Sequence, residues 1–132
     1  MDENISQCFV EQKVNEVVVS IHGGPGTENM LRYSKCGADY QKVLENTQQL
    51  IEIRNCSNSK YPIVKVKTVL FDWNDTDELM NQLRKDTQKI GVDHLYWVLD
   101  WEKGGLSHSS KRFTQNSKEL DTLIEKDEYR IF

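Results

Sequence analysis

EVVVSIH, residues Glu16 to His22, sets three valines in a row and adds an isoleucine two positions later. Such a run keeps no face for water. It reads as a buried strand of the kind that parallel sheets use. Gly23-Gly24-Pro25-Gly26 follows and breaks it. Working outward, Pro62 to Phe71 gives a second strand. Its Val64, Val66, Thr68 and Leu70 alternate with Lys65 and Lys67 over the first turns of the pattern. A third strand spans Val92 to Trp101, with HLYWVLDW at its centre.

Helical patterns separate these strands. Asp39 is placed to cap a helix reaching about Arg54, with Tyr40, Val43, Leu44 and Ile51 in period. Cys56 to Tyr61 reads as a polar loop. Asp75 and Glu78 have the spacing of a capping box, and Leu79, Met80, Leu83 and Ile90 form the stripe of the next helix. Gly91 is its stop. Before the first strand, Glu3 to Val14 is weakly amphipathic, with Ile5, Cys8, Phe9 and Gln12 on one face. After the third, a Gly/Ser-rich loop from Gly104 to Ser110 leads to a helix from about Ser117, carrying Leu120, Leu123 and Ile124.

Strands joined by helices of this length pair in parallel through right-handed crossovers. The expected fold class is therefore α/β, a parallel βαβαβ segment. The first strand is preceded by a helix with no strand before it, which hints at further strands upstream.

The chain has 132 residues, 37% hydrophobic and 29% charged, with a net charge of −4. That length suits one domain with a small core. The negative charge argues against nucleic acid or an anionic membrane as the main partner. No apolar run approaches the roughly 20 residues that span a bilayer. The N-terminus has no signal-peptide core, so a cytoplasmic location is the expectation. Cys8, Cys36 and Cys56 are too far apart for a metal-ligand motif and odd in number, so three reduced thiols are expected.

In parallel sheets, sites assemble at the carboxyl ends of the strands. Here those ends are Ser20 to Gly26, Phe71 to Asn74 and Leu99 to Gly105. His22-Gly23-Gly24-Pro25-Gly26 resembles the oxyanion-hole loop of the proline iminopeptidase branch of α/β-hydrolases. That chemistry also needs a nucleophile elbow. The nearest candidate, Gly105-Leu106-Ser107-His108-Ser109, lacks its second glycine, and no histidine follows to complete a triad. A peptidase or esterase is the alternative function. The same loop as an anion cradle fits neither G-x-G-x-x-G nor the Walker pattern, and a tight turn accounts for it in isolation.

Three stretches in order resemble the radical S-adenosylmethionine superfamily: VVVSIHG (Val17 to Gly23), GADYQKVLENTQQLIEIR (Gly37 to Arg54) and VKTVLFDWNDTDELMNQLRKDTQKIGVDHLYWVL (Val66 to Leu99). Ser110-Lys111-Arg112-Phe113, then Ser117 to Leu120, resemble the segment that follows in members modifying peptides and cofactors. The resemblance covers nearly the whole chain. It implies that residues 1–132 form a single incomplete domain, the second half of a partial (βα)6 TIM-like barrel, with the three strands as its fourth to sixth.

In that family S-adenosylmethionine lies across the strand ends and chelates one iron of a [4Fe–4S] cluster, and its reductive cleavage starts radical chemistry. By position, the resemblance places Ser20 near the cofactor's ribose and carboxylate; a serine bonded to backbone is the other reading. His22 stands where many members have aspartate. Arg32 or Lys35 falls where an arginine pairs with the cofactor carboxylate, and both also suit a solvated surface. Asn74 matches an asparagine that contacts the cofactor or caps the next helix. Tyr96 and Trp97 are either pocket wall or core.

The CxxxCxxC that binds the cluster is absent, as is the upstream half of the barrel. The expected partners are S-adenosylmethionine, that missing N-terminal half, and a peptide or small-molecule substrate. A fragment inactive alone and a non-catalytic relic remain alternative states of such a chain.

Overall fold

A computed structural model describes residues 3–22, 39–99, 110–114, 117–126 and 128–131. Four helices and four strands alternate along them: α1 (Glu3–Glu11), β1 (Glu16–Ser20), α2 (Tyr40–Cys56), β2 (Ile63–Val69), α3 (Asp77–Ile90), β3 (His94–Leu99), α4 (Lys118–Lys126) and β4 (Glu128–Ile131). The strands form one sheet in the order β1-β2-β3-β4, each pair parallel. The fold is α/β with sequential winding, and among the described residues the sheet is open. The three strands read from the sequence pair as expected. β4 is an addition: four residues, EYRI, are too few to show a period against the preceding helix.

The register explains the alternation in β2. Val64, Val66 and Thr68 are buried, while Lys65 and Lys67 between them face the other way. Val17 and Val19 stand beside Val64 and Val66, and Leu95 and Trp97 beside Val66 and Thr68. This is the face that all the helices cover. Tyr40 and Leu44 of α2, Met80 and Leu83 of α3, and Leu120 and Leu123 of α4 close on Val66, Leu70, Trp97 and Leu99. Val10 of α1 packs with Leu50, Ile51 and Val64 in a smaller cluster. Sequential order with crossovers of one hand puts every helix on the same side.

Three expectations are corrected. β1 is not buried on both faces: Val18 is 41% exposed, because β1 is an edge strand among the described residues and its outward face lies opposite the helices. In α1 the buried residues are Ser6 and Val10, with Phe9 half-buried, whereas Ile5 and Cys8 are exposed. The hydrophobicity of Ile5 misdirects the pattern; the side that meets α2 is set by the i, i+4 pair. The capping residue of α3 is Thr76, which accepts from the Leu79 amide, and not Asp75. The other caps match. Asp39 accepts from the amides of Gln41 and Lys42, and Gly91 ends α3 at φ 86°, where a side chain would be strained.

Two polar contacts lock the layers. The Tyr40 hydroxyl donates to Asp86 at 2.7 Å, tying α2 to α3. Burial and then that hydrogen bond hold the phenol protonated well beyond its ordinary range. At the amino end of the sheet, Arg54 Nη1 donates to Asp93 at 2.6 Å and to the Pro62 carbonyl at 3.1 Å. Asp93 also accepts from the Val64 amide at 2.8 Å. The last turn of α2 is thereby pinned to the starts of β2 and β3. Replacing Arg54 with methionine is expected to cost about 2 kcal/mol, since the Asp93 carboxylate loses its cationic partner but keeps the Val64 amide and can rehydrate partly. Chemical denaturation would measure it; an unchanged midpoint would mean that the pair contributes nothing.

Candidate functional site

The carboxyl end of β1 does not finish as an ordinary ladder. The Ile21 amide still donates to the Lys67 carbonyl at 2.9 Å. Beyond that, side chains take over. Thr68 Oγ1 donates to the Ile21 carbonyl at 2.7 Å. The Val69 amide donates to Nδ1 of His22 at 3.2 Å, so the imidazole ring stands in for a strand carbonyl. Asn74 closes the arrangement. Its Nδ2 donates to the Val69 carbonyl at 2.9 Å and to the His22 carbonyl at 3.2 Å, while its Oδ1 accepts from the Phe71 amide at 2.7 Å. The turn after β2 and the end of β1 are sewn together by one buried amide.

His22 sits edge-on to Phe71, with ring centroids 6.2 Å apart, and Phe71 stacks on Trp73 at 5.3 Å. A small void of about 10 Å³ lies beneath, among His22, Thr68, Asn74, Met80, Leu83 and Trp97. Burial, and then the charge of Lys67, lowers the His22 pKa below 6.5. The ring is therefore neutral at neutral pH. With Nδ1 accepting, the proton is assigned to Nε2.

This has a consequence for stability. Below about pH 6.5 the unfolded chain binds a proton that the folded chain resists, so stability falls as pH drops towards the lowered folded value. His22→Gln keeps an acceptor and removes the titration. Urea midpoints between about pH 7.5 and about pH 5 should decline more steeply in the wild type than in this variant. Parallel slopes would show that His22 is not the group responsible.

A second network flanks the same end. Ser110 Oγ donates to Asp75 at 2.6 Å, and its amide donates to the Leu70 carbonyl at 3.3 Å. Arg112 donates to the Asp75 carbonyl at 2.6 Å and to the Asp77 carboxylate at 2.5 Å. Its guanidinium also lies over the Phe113 ring. Residues 110–113 are thus fastened to the start of α3. A cleft of about 200 Å³ opens beside them, lined in part by Met80, Arg84, Arg112 and Leu123.

Of the residues singled out from sequence, His22 and Asn74 come together here, through the bond from Asn74 Nδ2 to the His22 carbonyl. Ser20 is exposed at the last position of β1. Asn74 is 6% exposed and does not cap α3; its amide holds the strand ends instead. Arg32 and Lys35 lie outside the described residues, as do Cys36, the Gly23 to Gly26 turn and the Gly105 to Ser109 stretch. The hydrolase loop is represented only by His22, whose Nδ1 is taken by a backbone amide. Cys8 and Cys56 are exposed on α1 and α2, in the helical layer. Among the described residues no group of three or more His, Cys, Asp or Glu side chains is placed to hold a metal ion, and no helix is long and apolar enough to cross a membrane.

Thr68 and the Asp75–Ser110–Arg112 network were not foreseen. Thr68 carried a signal, a lone hydroxyl on the apolar face of a valine strand. The network joins residues 35 and more positions apart, which no local pattern reveals. Comparisons with protein-family models, with curated proteins and with solved structures give no match.

Proposed function

We propose that this chain is the second half of a radical S-adenosylmethionine barrel, supplying the face that meets cofactor and substrate while another segment supplies the cluster. The observation that carries this is the winding. The strands run in sequential order, all parallel, with every helix on one side. A doubly wound sheet reverses its order at a switch point, whereas a barrel segment does not. β4 continues the same winding one strand past the three that the barrel's second half requires.

The chain's own residues fit one part of the cofactor apparatus and not the other. Cys8 and Cys56 sit on helices in the outer layer, away from the strand ends, so the described residues do not form a cluster site. For S-adenosylmethionine, Ser20 offers a hydroxyl at the end of β1 that can donate and accept. His22 offers a neutral ring with Nε2–H. Asn74 keeps both in place by holding the β1 and β2 ends together. What this half does is bind and orient.

The test is a titration of isotope-labelled chain with S-adenosylmethionine, followed by amide resonances. Saturable shifts confined to Ser20–His22 and Val69–Asn74, reduced in Ser20→Val, are expected. No saturable change at these amides would remove the proposal's footing.

A further inference from the structure

β1 ends the sheet among the described residues, and its bonds to β2 fix which of its backbone groups face outward. The Ile63 amide donates to the Asn15 carbonyl, and the Ile21 amide donates to the Lys67 carbonyl. In a parallel ladder only alternate residues bond to one neighbour. Residues 15, 17, 19 and 21 therefore turn towards β2. The amides and carbonyls of Val18 and Ser20 point away from it, along the edge. Such an edge is a template for another strand, and natural edges are blunted by lysine, proline or a bulge. β1 carries none of these. The charge of Glu16 is met by Lys65 at 2.8 Å, Val18 is 41% exposed, and Val17 and Val19 are only half-buried although the helices cover their face.

The strand EVVVS complements itself. When it is set antiparallel to a second copy with Val18 on the two-fold axis, all five residues pair. Val18 meets Val18, Val17 meets Val19, and Glu16 meets Ser20. The parity is right for this register: Val18 is one of the residues with outward backbone groups, so the two Val18 residues exchange both of their hydrogen bonds. Any other antiparallel register pairs fewer of the five. Cross-strand pairs of β-branched residues stabilise a ladder, and like charges directly opposite weaken it. Here valines cover valines on both faces, and the single charged residue of the strand faces a hydroxyl. Ser20 stands beside Lys67, so each Glu16 also comes within two strand spacings, about 10 Å, of Lys67 of the other copy.

We infer that β1 pairs antiparallel with β1 of a second copy of this chain, joining the two sheets into one continuous sheet with both helical layers on the same side. The contact is the same patch on each copy, so it closes on itself as a dimer. The strand edge is a small interface, at the low end for specific association, so the dimer is weak and reversible. This goes beyond the barrel proposal. A segment completing a barrel beside β1 takes the same edge, so the two pairings exclude each other and the dimer is the state of the chain without that segment.

The test is sedimentation of the full chain from about 5 μM to about 500 μM, with hydrogen exchange at both ends of that range. Monomer at the low end and dimer at the high end are expected, as suits a small interface. Protection of the Val18 amide should rise with concentration, while the Val17 and Val19 amides, already bonded to β2, change little. In a mixed labelled sample a chain-to-chain contact between Val17 and Val19 should appear. Val18→Lys sets two ammonium groups face to face on the axis and should weaken association about tenfold. Its urea midpoint at low concentration checks that it still folds. Monomer at every concentration would overturn the inference, as would a dimer equally tight in Val18→Lys. So would a Val18 amide already protected at 5 μM, since the edge would then be paired within one chain. S-adenosylmethionine added to the Val18→Lys monomer tests the barrel proposal separately: a missing response there leaves the dimer standing, and a missing dimer leaves that response standing.

Discussion

Trp97→Ala should destabilise the chain by about 3–5 kcal/mol, the range for emptying a large buried aromatic site. Trp97 is 1% exposed and touches the centre of the larger core, between β2 and α3. A domain of this size has roughly 5–15 kcal/mol to lose, so a sizeable unfolded fraction at room temperature is the expected result. Trp97→Phe should cost far less. The Trp97 indole N–H has no hydrogen-bond partner among the described residues, so phenylalanine removes a buried donor along with the lost area. The Arg84 guanidinium, 5.4 Å from the indole ring, keeps an aromatic face. Urea denaturation of the two variants would check this. Equal losses would mean that ring size at this position matters less than the indole itself.

Asn74→Leu should cost about 3 kcal/mol. The side chain is nearly isosteric, so the loss comes from three backbone groups left without a partner: the His22 and Val69 carbonyls and the Phe71 amide. Asn74→Asp should fall between, since a carboxylate still accepts from Phe71 but donates to neither carbonyl. Hydrogen exchange at Phe71 separates the two, with protection kept in the aspartate variant and lost in the leucine one. If Asn74→Leu changed stability by less than about 0.5 kcal/mol, the size of an ordinary surface substitution, the amide would not be what joins β1 to the turn after β2.

The fold was legible where period and position agree. Valines alternating with lysines gave β2 and its faces, and Asp39 and Gly91 gave the ends of α2 and α3, because caps and alternation are local properties. β1 misled because three valines in a row look buried whether a strand is central or at an edge. Its edge position depends on where β2 pairs, which the run itself does not encode. The candidate site was half legible. Ser20, His22 and Asn74 were marked by the resemblance, at or near the carboxyl ends of strands, yet Asn74 looked like a cap because Asn before a helix usually is one. Only the neighbouring carbonyls, one of them 52 residues away at His22, reveal its role.

Sequential winding also bears on how the chain finds its structure. Every strand pairs with the one before it in sequence, so the sheet can grow one unit at a time without any strand inserting between two others. Of the three crossovers, the one between Val69 and His94 is the shortest, and loop closure is least costly there. β2, α3 and β3 should therefore assemble first, with β1 and β4 adding to either edge. Substitutions at Val66, Met80 and Trp97 would then slow folding, whereas those at Val10 would mainly speed unfolding. φ-values measured across these four positions would show whether assembly starts in the middle of the sheet and spreads outward.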